Sequence, residues 1–166
     1  MSHDYVQYDN IVPLLAPQDI AATAQPSEYV SLNCHDIGLY VIAGAITATS
    51  ADEYYTVTVV ATTSAATGAS EVAIPFSYRT SGVVNTNTWT AVTTATTAGV
   101  NLTVDDDNKI LYIHIDPAAV LAELSDATHV RAVITPGTAS LTAGLFTVIA
   151  SVSPRYRQTT MISATG

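Results

Sequence analysis

From Tyr29 onward, apolar and polar residues follow the two-residue period of β-strands. Residues 54–61 are the clearest case: Tyr55, Val57 and Val59 fall on one side, Thr56 and Thr58 on the other. Branching at Cβ suits threonine to a pleated, wetted face, so this segment reads as a strand with one buried side. Residues 37–43 are apolar on both sides (Ile37, Leu39 and Val41; Tyr40 and Ile42), the pattern of a central strand. A strand over 29–33 precedes it across a Cys34-His35-Asp36 turn. Further strands are expected at 71–78, 88–96, 109–116, 129–135 and 144–153, with turns around Gly68, Gly82, residues 105–108 and Pro136-Gly137. Strand after strand through Gly, Asn and Asp turns predicts an all-β antiparallel sandwich of jelly-roll or Greek-key type.

One segment breaks the period. Residues 117–124 (PAAVLAEL) follow Asp116, a good N-cap, and place proline at the first helical position. A short helix plugging one end of the sandwich is expected, with Val120, Leu121 and Leu124 facing the core. The ends of the chain look different. Pro13, Pro17 and Pro26 punctuate residues 1–28, where Ile11, Val12, Leu14 and Leu15 form one apolar cluster. Proline resists central strands, so 1–28 reads either as an extended arm with a hydrophobic anchor or as an arm packed on its own domain. The expected division is an arm over 1–28, a sandwich over 29–153 and a polar tail over 154–166.

Composition sharpens this picture. Only 11% of the 166 residues are charged, and threonine alone supplies 25. A free soluble domain carries roughly 25–35% charged residues on its surface. A Thr/Ala/Val exterior suits a protein whose surface faces neighbours in an ordered assembly. The length is enough for one core, burying roughly 70% of the unfolded surface. The net charge of −9 repels phosphate and anionic membranes, which argues against nucleic-acid and membrane partners. A single cysteine, Cys34, leaves no internal disulfide and no Cys-based zinc cage. No basic-then-apolar leader opens the sequence and no apolar run reaches membrane-spanning length, so cytoplasmic synthesis is expected.

Candidate chemistry is sparse. Asp105, Asp106 and Asp107 form the densest acidic cluster and are a weak candidate for Ca²⁺. They lack the glycine and distal glutamate of an EF-hand loop, and a structural turn is favoured. Cys34, His35 and Asp36 are adjacent, and neighbours on a strand or tight turn diverge, so no nucleophile pair is expected. His3 lies in the arm. His114 and His129 fall on strands expected to be adjacent, where structural roles are favoured over a joint site. No nucleophile elbow or paired-carboxylate arrangement is present, so no catalytic residue and no cofactor are assigned. Trp89 with Tyr54, Tyr55, Tyr78 and Tyr112 is the set that would build a sugar-stacking platform, against the plainer reading of core and interface packing. Asn101-Leu102-Thr103 fits the N-glycosylation pattern, which carries little weight without a leader.

Four stretches in order resemble a family of small tailed-phage structural proteins: EYVSLNCHDIGLYVIAGAI (28–46), AIPFSYRT (73–80), ILYIHIDPAAV (110–120) and SVSPRYRQ (151–158). The chain departs from that family at Asn33-Cys34-His35, where Lys-Asn-Tyr is common, and at Ser153, where an acidic residue precedes the Pro-Arg-Tyr landmark. The resemblance implies a virion component of the capsid decoration (cement) type, on the outer head surface. It implies the major capsid protein and further copies of the chain as partners. Ile11, Val12, Leu14 and Leu15 in the arm, with Arg155 and Tyr156 in the tail, are then the expected contacts. On that reading, deleting residues 1–25 spares the fold and abolishes attachment. The alternatives are a minor head–tail or tail protein, and a carbohydrate-binding sandwich module.

Overall fold

A computed structural model describes residues 10–21, 23–47, 53–66, 69–84, 86–137 and 143–154. Its strands are β1 (Asn10–Asp19), β2 (Gln25–Pro26), β3 (Val30–Ser31), β4 (Asp36–Thr47), β5 (Tyr55–Thr62), β6 (Glu71–Ile74), β7 (Phe76–Thr80), β8 (Thr93–Ala95), β9 (Val100–Leu102), β10 (Ile110–Ile115), β11 (His129–Pro136) and β12 (Ala143–Ser153). They form two antiparallel sheets. The first runs β1-β12-β4-β10-β7-β8; the second runs β2-β11-β5-β6, with β3 also on β11 and β9 on β5. The chain is an all-β sandwich, as the alternation predicts.

Each sheet turns its apolar positions toward the other. Leu39, Val41, Leu111, Ile113 and Val148 meet Val57, Val59, Val130, Ala132 and Ile134, all closed to water. Burying such a side chain contributes roughly 1.5–3 kcal/mol relative to exposure. β4, apolar on both sides in sequence, is indeed interior to its sheet, paired to β12 on one flank and β10 on the other. Thr56 and Thr58 stand on the outer face of the second sheet, half-buried.

The helix, α1 (Pro117–Glu123), forms where expected. The Asp116 side chain accepts from the Ala118 N–H, and Leu124 leaves the helix in an extended conformation. Val120 is buried and Leu124 packs partly on the core, whereas Leu121 faces outward. Leu121 stands about 100° around the axis from Val120, on the outward side, and Leu124 lies beyond the last helical residue.

The N-terminal boundary needs correction. Asn10–Asp19 is not an arm beside the sandwich but its first strand, paired antiparallel to β12 from Asn10↔Val152 to Asp19↔Leu145. Leu14 and Ile20 enter the core. Among the described residues the sandwich therefore reaches back to Asn10 rather than starting at Tyr29. Prolines do not prevent this because β1 is an edge strand, with one side free of ladder bonds. Two other expected strands also change. Pro75 splits 71–78 into β6 and β7, which belong to different sheets. Within 88–96 only β8 is a strand, joined by an isolated bridge between Ser81 and Trp89. Among the described residues no helix is long and apolar enough to cross a membrane.

Candidate functional site

The residues expected to matter are scattered, with informative exceptions. Leu14 is 2% exposed and belongs to the core, so it is closed to any partner. Ile11, by contrast, is 71% exposed, while Val12 and Leu15 are half-buried against the core. Arg155, Tyr156 and His3 lie outside the described residues.

The acidic cluster is a turn. Thr103 and Asp106 form a capping box around the 3-10 turn Val104–Asp106. Asp106 also pairs with Lys109 at 3.3 Å. Asp107 Oδ1 accepts from the Ile46 N–H at 2.6 Å, tying the turn to the end of β4. Two of the three carboxylates are thus engaged with the protein, and among the described residues no three His, Cys, Asp or Glu side chains converge on a metal position. Cys34 is buried, with its Sγ 3.5 Å from the Ser31 carbonyl.

His114 and His129 do not meet, contrary to the adjacency expected of their strands. β10 lies in the first sheet and β11 in the second, and the outward positions of the two point to opposite sides of the sandwich. His114 Nε2 instead lies 2.8 Å from Asp36 Oδ1. His129 contacts Thr128 Oγ1 at 2.8 Å and sits edge-on to Tyr29, and burial lowers its pKa. Tyr29 donates to Glu71 Oε1 at 2.7 Å, and Arg131 pairs with the same carboxylate while lying 4.3 Å over the Tyr29 ring. Burial, then the bond to Glu71, raises the Tyr29 pKa. This second-sheet cluster satisfies itself.

The aromatic set divides. Tyr55 is a core residue and Tyr78 packs beside Phe76. Trp89 and Tyr112 do come together, edge to face with centroids 6.5 Å apart. The sequence reading missed the group between them. The Arg79 guanidinium lies 4.6 Å over the Trp89 ring and 5.2 Å over that of Tyr112. Each such cation–π contact contributes about 0.5–2 kcal/mol. The cross-strand register explains the meeting, since Tyr112 stands opposite Arg79 on one side and Tyr40 on the other. Gly38 on β4 makes room: a Cβ there would stand 2.8 Å from Tyr112 Cε2.

These residues belong to a row that crosses five strands on the outer face of the first sheet: Pro13, Ile149, Tyr40, Tyr112 and Arg79. The row is uncharged until its last member. Beside Arg79 it opens into a groove of about 260 Å³ lined by Ser77, Tyr78, Arg79, Val92, Tyr112 and His114. The other described cations, Lys109 and Arg131, are each paired with a carboxylate; among the described residues Arg79 has none. Its Nε is buried without a hydrogen-bond partner, a state that costs about 1–3 kcal/mol. The one sequence signal for this site is a lone arginine at an outward position of a strand in a chain with few cations.

No protein-family model, curated protein or solved structure matches the chain.

Proposed function

We propose that the chain is a structural protein of a tailed-phage particle, a decoration protein that binds the outer face of the major capsid protein lattice and stabilises the head. The observation that carries this reading is the β1 end of the outward row. Ile11, Pro13, Ile149 and Tyr40 offer a continuous uncharged surface at a sheet edge, in a chain with only 11% charged residues. Such a strip favours burial against a neighbour over exposure to water. The net charge of −9 suits the outer shell better than the DNA-filled interior. Repetition across a lattice then turns modest contacts into firm attachment by effective concentration, with further copies of the chain as neighbours.

Strand order lends support. With β2 and β3 taken as one strand and β7, β8 and β9 as additions, the sheets run first-eighth-third-sixth and second-seventh-fourth-fifth. This favours a jelly roll, an architecture that serves viral capsid and lectin domains alike.

Quantitative mass spectrometry of purified particles tests the reading by counting this chain against the major capsid protein. A lattice-wide ratio, close to a simple fraction of the capsid protein, is expected. A handful of copies per particle would move the chain to the head–tail junction or tail, and its absence would overturn the proposal. Ile11→Asp, at an exposed site, is expected to lower occupancy at least tenfold with an unchanged melting temperature.

A further inference from the structure

The groove at the opposite end of the same row has features a capsid contact does not require. Arg79 is held between Trp89 and Tyr112 without a carboxylate partner among the described residues, although the other described cations have one. A guanidinium packed by its face against aromatic rings, with its Nε buried, keeps its terminal Nη edge for an in-plane, two-point bond to a carboxylate. Around it stand Ser77, the ring of Tyr112, the imidazole of His114, which is held by Asp36, and the exposed apolar surface of Val92. Trp89 is 37% exposed at the margin.

We propose that this groove binds an acidic sugar, a pyranose unit bearing a carboxylate, as in a uronic acid-containing glycan. At about 260 Å³ it falls below the roughly 300–1,000 Å³ of drug-sized sites and fits one ring-sized unit. Its walls mix ring surface, hydroxyl-bearing side chains and one cation with no carboxylate partner among the described residues, which answer in turn to the C–H face, the hydroxyls and the carboxylate of such a sugar. A peptide fits less well. The floor is the face of a sheet in which β7 is already paired to β10 and β8, and β10 to β4. Recognition here must therefore run through side chains, whereas an extended peptide takes much of its affinity from main-chain bonds at an open edge. The platform is also fixed in advance, because Gly38 leaves Tyr112 the space it occupies. The groove lies four strand spacings from β1, about 19 Å, so a chain docked by its β1 edge leaves this end open.

Trp89 is the sole tryptophan, so its emission reports directly on the groove. The experiment is a fluorescence titration of the full chain with trigalacturonate, with neutral galactotriose and with a Glu-containing tripeptide. Saturable change with trigalacturonate is expected, at least tenfold weaker with galactotriose and with the peptide. Arg79→Gln is expected to weaken trigalacturonate binding at least tenfold. Arg79→Lys, which keeps the charge but loses the planar fork, is expected to fall between, with both variants checked for a wild-type melting temperature. If Arg79→Gln does not fold, Arg79→Lys and the wild-type preference for acid over neutral sugar carry the test. No response to trigalacturonate at millimolar concentration would overturn the proposal. Equal response to galactotriose, preference for the peptide, or binding untouched by the Arg79 variants would do the same.

Discussion

Tyr55 lies closed to water between the sheets, edge-on to Phe146 at 4.8 Å, and its hydroxyl donates to the Ile20 carbonyl at 2.6 Å. Burial, with a smaller push from Asp19, raises its pKa to about 12. The folded chain thus keeps a proton that the unfolded chain, with a tyrosine near 10.0, releases first. The associated stability is complete below pH 10 and is lost as pH climbs toward 12, up to roughly 3 kcal/mol. Urea unfolding at pH 8 and pH 11 is expected to show about half of that drop, roughly 1.4 kcal/mol. Tyr55→Phe is expected to flatten it while costing about 1–3 kcal/mol at pH 8, since the Ile20 carbonyl loses its partner. Gly99 offers a second test. Its φ is +84°, and a Cβ would stand 2.3 Å from the Val57 carbonyl oxygen. Gly99→Ala is expected to lower stability by more than the ~1 kcal/mol of the conformational penalty alone, measured by thermal melting.

Among the elements, β1 overturns an expectation drawn from the prolines. A strand with Pro13 and Pro17 looks like an arm because proline cannot donate to a ladder. On an edge only one side needs donors, and both register shifts of the β1–β12 ladder fall beside these prolines. Removing residues 1–25 is therefore expected to unfold the sandwich rather than only detach it, because Leu14 and Ile20 leave the core with the strand. Circular dichroism of the truncated chain decides between the outcomes. Leu14→Ala is expected to cost about 2–5 kcal/mol in urea unfolding. The interior strands were legible because β4, β5, β10, β11 and β12 carry their burial pattern in their own residues. β9 and the break at Pro75 were not, because three-residue strands leave no period to read and sheet assignment depends on distant partners.

At the scale of the whole molecule, the same non-locality hid most of the candidate site. Trp89 and Tyr112 could be named singly. The placement of Arg79 between them comes from the pairing of β7 with β10 and of Ser81 with Trp89, which no local pattern encodes. The fold joins residues far apart in sequence throughout, most of all where β1 meets β12. Refolding is accordingly expected in milliseconds to seconds, the range of sandwiches dominated by distant pairings, by stopped-flow tryptophan fluorescence.

The β1–β12 pairing also sets how the molecule bears mechanical load. Asn10 faces Val152, so the outer ends of β1 and β12 lie at one corner of the sandwich. Tension applied there peels the ladder open one bond at a time, whereas tension between Ile11 and Leu145, near opposite ends of the pair, shears all its bonds together. In single-molecule pulling, anchors at Ile11 and Ser151 are expected to yield at lower force than anchors at Ile11 and Leu145. Load carried lengthwise through β1 and β12 is therefore the load this pairing resists most.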